Sequence, residues 1–205
     1  GNHDLYLLRL MHMNQSTDDL KEVVEAANNK QIFEWLITRP LLIEISDQST
    51  QNKFIITHAG IPEIWSPEKA KDLAEEVSIA LTDNTSKILE TMWGDHPNSW
   101  NESLAGNDRH RIIINYLTRM RFLGNAASLD LKNTSINPSV GCKPWFRYKS
   151  ESYKKMKQYY VFGHWASLNG QTNNPHFIGL DTGCVWEGSL TALRVDNLEK
   201  ISVQY

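Results

Sequence analysis

The sequence predicts an α/β fold on three observations. Apolar residues recur at helical spacing in several segments, most clearly over residues 66–81. Short runs of β-branched and aromatic residues alternate with these segments, as at residues 53–57 and 158–162. Polar side chains with small neighbours directly follow these runs, as His58 and His164 do. Ligands bind beyond the carboxyl ends of strands in open α/β sheets, so we expect the functional site there.

Composition bounds the class of protein. The chain has 205 residues, of which 40% are hydrophobic and 22% charged, which fits one domain over residues 1–205 with a proper core. The net charge of −3 argues against a nucleic-acid binder or a membrane-surface binder. No apolar run approaches the ~20 residues of a membrane-spanning helix. We therefore expect neither nucleic acid nor membrane among the partners.

The two cysteines, Cys142 and Cys184, lack the C-x-x-C spacing of a redox or zinc motif. We expect two free thiols in a reducing compartment, which for this chain means the cytoplasm.

Helices are expected where caps and apolar spacing coincide. Ser66-Pro67-Glu68 is a good helix start, with a capping serine, a proline in the first turn and an early acid. The predicted helices are residues 4–13, 32–37, 66–81 and 83–92, together with a segment that starts at residues 16–19. The apolar face of that segment consists of Leu20, Val23, Val24 and Ala27.

Strands are expected at the short apolar runs between these helices. A hairpin is predicted over residues 121–131, around Gly124-Asn125. Residues 112–117 fit either a helix or a buried strand, because periodicity cannot decide for so short a run. Residues 94–108 are expected to be rich in loops, and residues 132–157 to form a long surface excursion. The other predicted strands are residues 41–46, 53–57, 158–162, 176–180, 190–195 and 201–204.

Three separate places in the chain combine into one candidate metal site. Gly1-Asn2-His3-Asp4 leads into a predicted helix, whose N-terminus favours anions. Asn2 offers an amide oxygen, and His58 and His164 offer imidazole nitrogens. Such mixed donors suit Mn, Fe, Co, Ni or Zn. Three protein ligands leave positions open for water and substrate. His3 would then be free to act on a leaving group, held by Asp4. A single histidine after a strand is usually structural, so the joint pattern is what indicates the site.

Short motifs occur in one order along nearly the whole chain, and together they are highly specific. They are Gly1-Asn2-His3-Asp4-Leu5, His58-Ala59-Gly60-Ile61, Gly94-Asp95-His96-Pro97-Asn98-Ser99-Trp100, Thr118-Arg119-Met120-Arg121-Phe122, Lys143-Pro144-Trp145-Phe146, Phe162-Gly163-His164-Trp165-Ala166-Ser167-Leu168 and Leu180-Asp181-Thr182-Gly183-Cys184. In these motifs the chain resembles the calcineurin-like metallophosphoesterases, and within that superfamily the bacterial symmetrical diadenosine tetraphosphatases.

The resemblance implies a β-sandwich flanked by helices and a centre of two divalent metal ions, such as Mn or Co. Asn2, His58 and His164 match the ligands of one metal. His3 matches the histidine that protonates the leaving oxygen or stabilises the transition state, and Asp4 matches its partner. The implied reaction is the symmetrical hydrolysis of diadenosine tetraphosphate, a dinucleoside polyphosphate, to two molecules of ADP.

Arginines are the expected clamp for the phosphates, because their guanidinium fork binds phosphate in a bidentate manner. Arg109 resembles the phosphate-binding arginine of related serine/threonine phosphatases, and Arg111 is a further candidate. Arg119 and Arg121 lie in a family motif, but surface cations or salt-bridge partners are an equal alternative for both.

The chain also departs from the superfamily pattern. An Asp-x-His motif and a Gly-Asp motif, whose Asp bridges the two metals, precede Gly-Asn-His-Asp in the superfamily, and neither occurs here. Asp95 and Asp181 match other family positions or cap turns. The expectation is an N-terminally incomplete domain, without its first strands and helices, with at most one well-formed metal site. The alternatives are a serine/threonine-type protein phosphatase and a catalytically inactive fragment that binds one metal.

Overall fold

A computed structural model describes residues 1–148 and 158–204 and has the predicted α/β class. The helices are α1 Asn2–His12, α2 Lys21–Val24, α3 Asn29–Ile37, α4 Pro67–Asp83, α5 Thr85–Thr91 and α6 Gly106–Arg119. The strands are β1 Leu42–Ser46, β2 Lys53–Thr57, β3 Phe122–Leu123, β4 Leu129–Asp130, β5 Lys143–Pro144, β6 Gln158–Phe162, β7 Phe177–Gly179, β8 Asp181–Thr182, β9 Ser189–Leu193 and β10 Lys200–Gln204.

A four-stranded sheet in the order β1-β2-β6-β7 lies at the centre of the fold. β1 and β2 form an antiparallel hairpin, whereas β2, β6 and β7 run parallel to one another. Ile56 of β2 lies opposite Val161 of β6. Because parallel strands end at the same edge of a sheet, the loops that follow β2 and β6 emerge side by side. His58 and His164 lie on these two loops.

The two faces of this sheet bury different clusters of side chains. On β2, Ile55 packs into the large core on the helical side of the sheet. The preceding residue, Phe54, points to the opposite face of the sheet, where it clusters with Val161 and Leu193. Leu193 belongs to a second, three-stranded sheet in the order β10-β9-β8. The result is a β-sandwich with helices on one side, as the family resemblance implies.

Most predicted elements are confirmed. The Ser66 hydroxyl accepts a hydrogen bond of 3.2 Å from the Lys69 amide and caps α4, with Pro67 in its first turn. The hairpin predicted around Gly124-Asn125 forms between β3 and β4. Residues 112–117 are helical and lie within α6. No helix in residues 1–148 and 158–204 is long and apolar enough to cross a membrane.

Two expectations about local structure were wrong. The segment that starts at residues 16–19 forms only the short helix α2, which has no side-chain cap and buries none of its residues. Residues 132–157 are not only a surface excursion, because β5 pairs with β3 and the next two residues, Trp145 and Phe146, are buried in the core. Residues 149–157 of that excursion lie outside the described residues.

Trp145 fills the space beneath the loop that carries His58. Its ring is 1% exposed and packs edge-on against Phe162 and Phe177, with ring centroids 5.1 Å and 5.4 Å away. A Cβ atom on Gly60 would lie 2.5 Å from the Trp145 indole. The Gly in the His-Ala-Gly motif is therefore required by packing, because any side chain at this position would displace the indole.

We predict that Trp145→Ala lowers the free energy of unfolding by about 3–5 kcal/mol, because it leaves a large cavity in the core. Urea denaturation measures this change. Trp186→Ala is the matched control: Trp186 is 77% exposed, so its loss should change the free energy of unfolding by less than about 0.5 kcal/mol. Equal effects of the two substitutions would contradict this view of the core.

Candidate metal centre

The three predicted metal ligands converge in the structure. The Asn2 side-chain oxygen Oδ1 lies 2.8 Å from His58 Nε2 and 3.2 Å from His164 Nδ1. The two imidazole rings are 5.2 Å apart, centroid to centroid. His58 and His164, which lie 56 and 162 positions after Asn2 in the chain, therefore meet at the Asn2 side chain. We refer to Asn2, His58 and His164 as the triad, and their role as metal ligands stays a prediction.

Main-chain contacts hold the loops of the triad together. The Gly163 amide donates a hydrogen bond of 2.9 Å to the His58 carbonyl, which ties the two histidine loops to each other. The Ala59 amide donates to the Leu117 carbonyl of α6 at 2.8 Å. A Cβ atom on Gly1 would lie 2.4 Å from His58 Nδ1, so only glycine allows this approach of α1 to the imidazole.

His164 has a left-handed backbone, with φ of +64°. A residue other than glycine adopts this conformation at a cost of about 1–2 kcal/mol, and such residues are concentrated at functional sites. The His164 carbonyl accepts a hydrogen bond of 3.1 Å from Arg121 Nη2. This bond supports the turn that directs the imidazole at Asn2.

Both imidazoles of the triad are neutral at pH 7. The pKa of His58 is lowered to about 4, mainly by burial. Burial and, to a smaller extent, the charge of the Arg121 guanidinium lower the pKa of His164 to about 2. The deprotonated imidazole is the form that ligates a metal.

The donor set of the triad fits a divalent metal. Two ligand atoms bound to one ion at about 2.1 Å, at right angles, are about 3 Å apart, close to the separations of Asn2 Oδ1 from the two imidazoles. Residues 1–148 and 158–204 contain no cluster of three or more His, Cys, Asp or Glu side chains able to hold a metal. The triad is not a cluster of this kind, because its third donor is the side-chain amide of Asn2.

The predicted pairing of Asp4 with His3 is not formed. The Asp4 carboxylate accepts a hydrogen bond from the main-chain nitrogen of Gly1, as an acid in the first turn of a helix does. His3 is exposed in the first turn of α1, directly after Asn2. Successive residues of a helix point in different directions, so Asp4 does not orient the neighbouring imidazole.

Arg109 does not lie free for a phosphate, contrary to expectation. Its guanidinium donates two hydrogen bonds to the Glu76 carboxylate, of 2.7 Å and 2.9 Å. The guanidinium also lies over the Trp100 ring, 4.9 Å from its centroid. The bond to Glu76 raises the pKa of Arg109. This arginine joins α4 to α6. Arg111 is likewise engaged, donating to the Thr91 and His96 carbonyls.

Of the predicted arginines, Arg121 is the one that contacts the triad. Its Nη2 donates to His164, and its buried Nε has no partner in the described part of the chain. Burial lowers the pKa of Arg121, which the charge of Asp181 opposes. Asp181 also accepts a hydrogen bond of 3.1 Å from the Gly183 amide and so caps a turn, as expected. Arg119 pairs with Asp95 at 3.0 Å.

A cavity of about 290 Å³ lies beside the triad and was not predicted from the sequence. His58 and Gly163 form its polar end, and Ile56 and Val161 contribute apolar surface from the central sheet. The signal that could have indicated it is the period-2 alternation of β2 and β6, which places these aliphatic side chains on one face. Its lining is Gly1, Pro40, Leu41, Ile43, Ile56, Thr57, His58, Thr118, Val161, Phe162, Gly163 and Leu180.

Comparison with known proteins gives a consistent result. The chain is 41% identical over 208 residues to the symmetrical bis(5'-nucleosyl)-tetraphosphatase of Marinomonas sp. (strain MWYL1), covering 98% of this chain and 74% of that protein. It is 41% identical to the protein of the same name from Pseudomonas putida (strain F1), covering 97% of this chain and 69% of the relative. The chain belongs to the symmetrical bis(5'-nucleosyl)-tetraphosphatase family. A third member, from Pseudomonas fluorescens (strain Pf0-1), is 40% identical over 98% of this chain and 69% of the relative.

A solved structure shares the fold of this tetraphosphatase family member. It is the crystal structure of a protein described as a candidate diadenosine tetraphosphatase, with a TM-score of 0.56 and 21% sequence identity. The alignment covers 100% of this chain and 66% of the other. No family model matches the chain.

For this tetraphosphatase family member, we predict that Arg109→Ala lowers the free energy of unfolding by about 1–2 kcal/mol, because it removes a bidentate charged pair. Urea denaturation measures the loss. Arg194→Ala is the control, since Arg194 pairs with Asp196 on the surface and should contribute less. If Arg109 instead binds phosphate, its replacement would weaken the binding of inorganic pyrophosphate and leave stability unchanged.

Proposed function

We propose that this chain hydrolyses dinucleoside tetraphosphates symmetrically, converting diadenosine tetraphosphate to two molecules of ADP. The observation that carries the proposal is the convergence of Asn2, His58 and His164 at the edge of the central sheet in a chain that belongs to the tetraphosphatase family. We further propose that residues 1–205 act as one domain in the cytoplasm, and that Mn²⁺ or Co²⁺ is the metal.

The triad would hold one divalent metal through one amide oxygen and two neutral imidazoles. A bound divalent ion supplies Lewis-acid polarisation of a phosphoryl oxygen and lowers the pKa of a water molecule. The first turn of α1 presents main-chain N–H groups and the positive end of the helix dipole to the anionic substrate. Arg121, next to His164, adds a fixed positive charge where negative charge develops.

His3 is the residue that we propose protonates the leaving group. It lies directly after Asn2 and is exposed, so its imidazole is accessible to a bound phosphate chain. In the balanced reaction, the attacking water loses a proton to the solvent, from which His3 later regains the proton that it donates. The oxygen of this water bonds to one of the two central phosphorus atoms. The bond from that phosphorus to the central bridging oxygen breaks. The bridging oxygen leaves with a proton from His3, and both products are nucleoside diphosphates.

The two alternatives make different predictions for the same assay. We predict that the 205-residue chain releases ADP as the only nucleotide from diadenosine tetraphosphate when Mn²⁺ or Co²⁺ is supplied, which chromatography detects. Release of ATP and AMP would contradict symmetrical cleavage. Phosphate release from a phosphopeptide without ADP formation would identify a protein phosphatase. Binding of one metal without any turnover would identify an inactive fragment.

Two substitutions separate proton transfer from metal binding. His3→Asn should lower kcat by about 10²–10⁴-fold, the usual contribution of a general acid, with the metal content retained. His58→Ala should lower the metal content as well, because it removes a proposed ligand. Metal analysis by mass spectrometry, combined with steady-state kinetics, measures both quantities. His12→Asn, at the other end of α1, is the control and should change neither. Equal metal loss in the His3 and His58 variants would contradict their separate roles.

A further inference from the structure

Trp93 is an exposed indole close to the triad that the proposed chemistry does not use. It is 39% exposed and directly precedes Gly94 and Asp95. Its ring centroid lies 5.6 Å from that of Tyr6, and the two ring planes are inclined by 40°. Two other tryptophans that lie in the sequence motifs, Trp145 and Trp165, are buried in the core. The Tyr6–Trp93 pair therefore differs from them in presenting aromatic surface to solvent.

Helix geometry places this pair beside the triad. Tyr6 is four residues after Asn2 on α1, so the two side chains lie on the same face of the helix, about 5–6 Å apart along it. Trp93 is in ring contact with Tyr6. Tyr6 therefore lies about one helical turn from Asn2, the proposed metal ligand. Trp93 lies on the far side of Tyr6, in contact with its ring.

Two cations connect the aromatic pair with the triad. The Arg119 guanidinium carbon lies over the Trp93 ring, 5.3 Å from its centroid. Asp95 and Asn115 fix this guanidinium with hydrogen bonds of 3.0 Å each. Two residues later, Arg121 donates to the carbonyl of His164. Arg119, paired with Asp95, therefore fixes the indole, whereas Arg121 places positive charge beside the triad. A phosphate chain ending in a nucleobase requires such a charge next to an aromatic surface.

We propose that Tyr6 and Trp93 form an aromatic wall on which one nucleobase of the substrate stacks, with Arg121 along the phosphates. This inference rests on the proposed function and adds the recognition of the base to it. Stacking of a base on an aromatic side chain contributes about 1–3 kcal/mol. The guanidinium over Trp93 holds the indole in place.

Trp35 offers a matched control for this inference. It is 58% exposed, and the Arg39 guanidinium lies 4.8 Å from its ring centroid, so its surroundings resemble those of Trp93. Arg39, however, donates to Trp35 and Thr38 on its own helix and turn. Trp35 thus combines an exposed indole and an arginine without the connection to the triad.

Calorimetric titration with ADP and with inorganic pyrophosphate tests the wall, since pyrophosphate has the phosphates but no base. Trp93→Ala should weaken ADP binding about 5- to 100-fold, which corresponds to the stacking contribution. It should leave pyrophosphate binding unchanged. Trp93→Phe should restore most of the ADP affinity, and Trp35→Ala should change neither affinity. Thermal unfolding of each variant verifies that the fold is retained.

Several outcomes overturn the wall. These are unchanged ADP affinity in Trp93→Ala, an equal loss for both probes, or the same loss in Trp35→Ala. A wild-type chain that binds ADP no more tightly than pyrophosphate overturns it as well. The hydrolysis of diadenosine tetraphosphate by the wild type is measured separately. If the wild type forms ADP and one of these binding results is found, the wall alone is refuted. If Trp93→Ala selectively loses ADP binding but the wild type does not hydrolyse the substrate, the proposed reaction is refuted and the wall is supported.

Discussion

The parallel pairing of β2 with β6 is the constraint on which the candidate site depends. It places the ends of two strands that are distant in sequence at one edge of the sheet, and the hydrogen bond from Gly163 to the His58 carbonyl extends the pairing into the loops. A shift of one residue in this register would turn the loops apart and move the apolar residues of β6 to the wrong face. The geometry of the imidazoles is thus a consequence of sheet register.

Small residues and a buried indole then determine how closely the site can be assembled. Gly1 lets the first turn of α1 contact the His58 ring, and Gly60 lets Trp145 pack beneath the same loop. The low pKa values of His58 and His164 follow mainly from the burial that this packing produces. Core packing and the predicted metal site are therefore coupled, because burial keeps the imidazoles in the neutral form that ligates a metal.

The sequence predicted the strands and the triad because their signals are local. Each histidine lies within two residues of the end of a short apolar run and has glycine nearby. The arginines were not predictable in this way: the partner of Arg109 is Glu76, 33 residues away on another helix. The prolines, glycine and lysines of residues 132–157 likewise indicated a surface excursion, although Trp145 and Phe146 within that stretch are buried. Non-local contacts decided each of these cases. The short length of α2 has a local cause, because β-branched Val23 and Val24 favour helix weakly and no side chain caps it.

The central claim is that one divalent metal binds between Asn2, His58 and His164. Anomalous X-ray scattering from crystals of the chain grown with Mn²⁺ tests it most directly, because it locates the ion independently of activity. We expect an anomalous peak within about 2.0–2.3 Å of the Asn2 side-chain oxygen and of one nitrogen from each imidazole. A Mn²⁺ peak elsewhere, with the triad side chains still hydrogen-bonded to one another, would contradict the account.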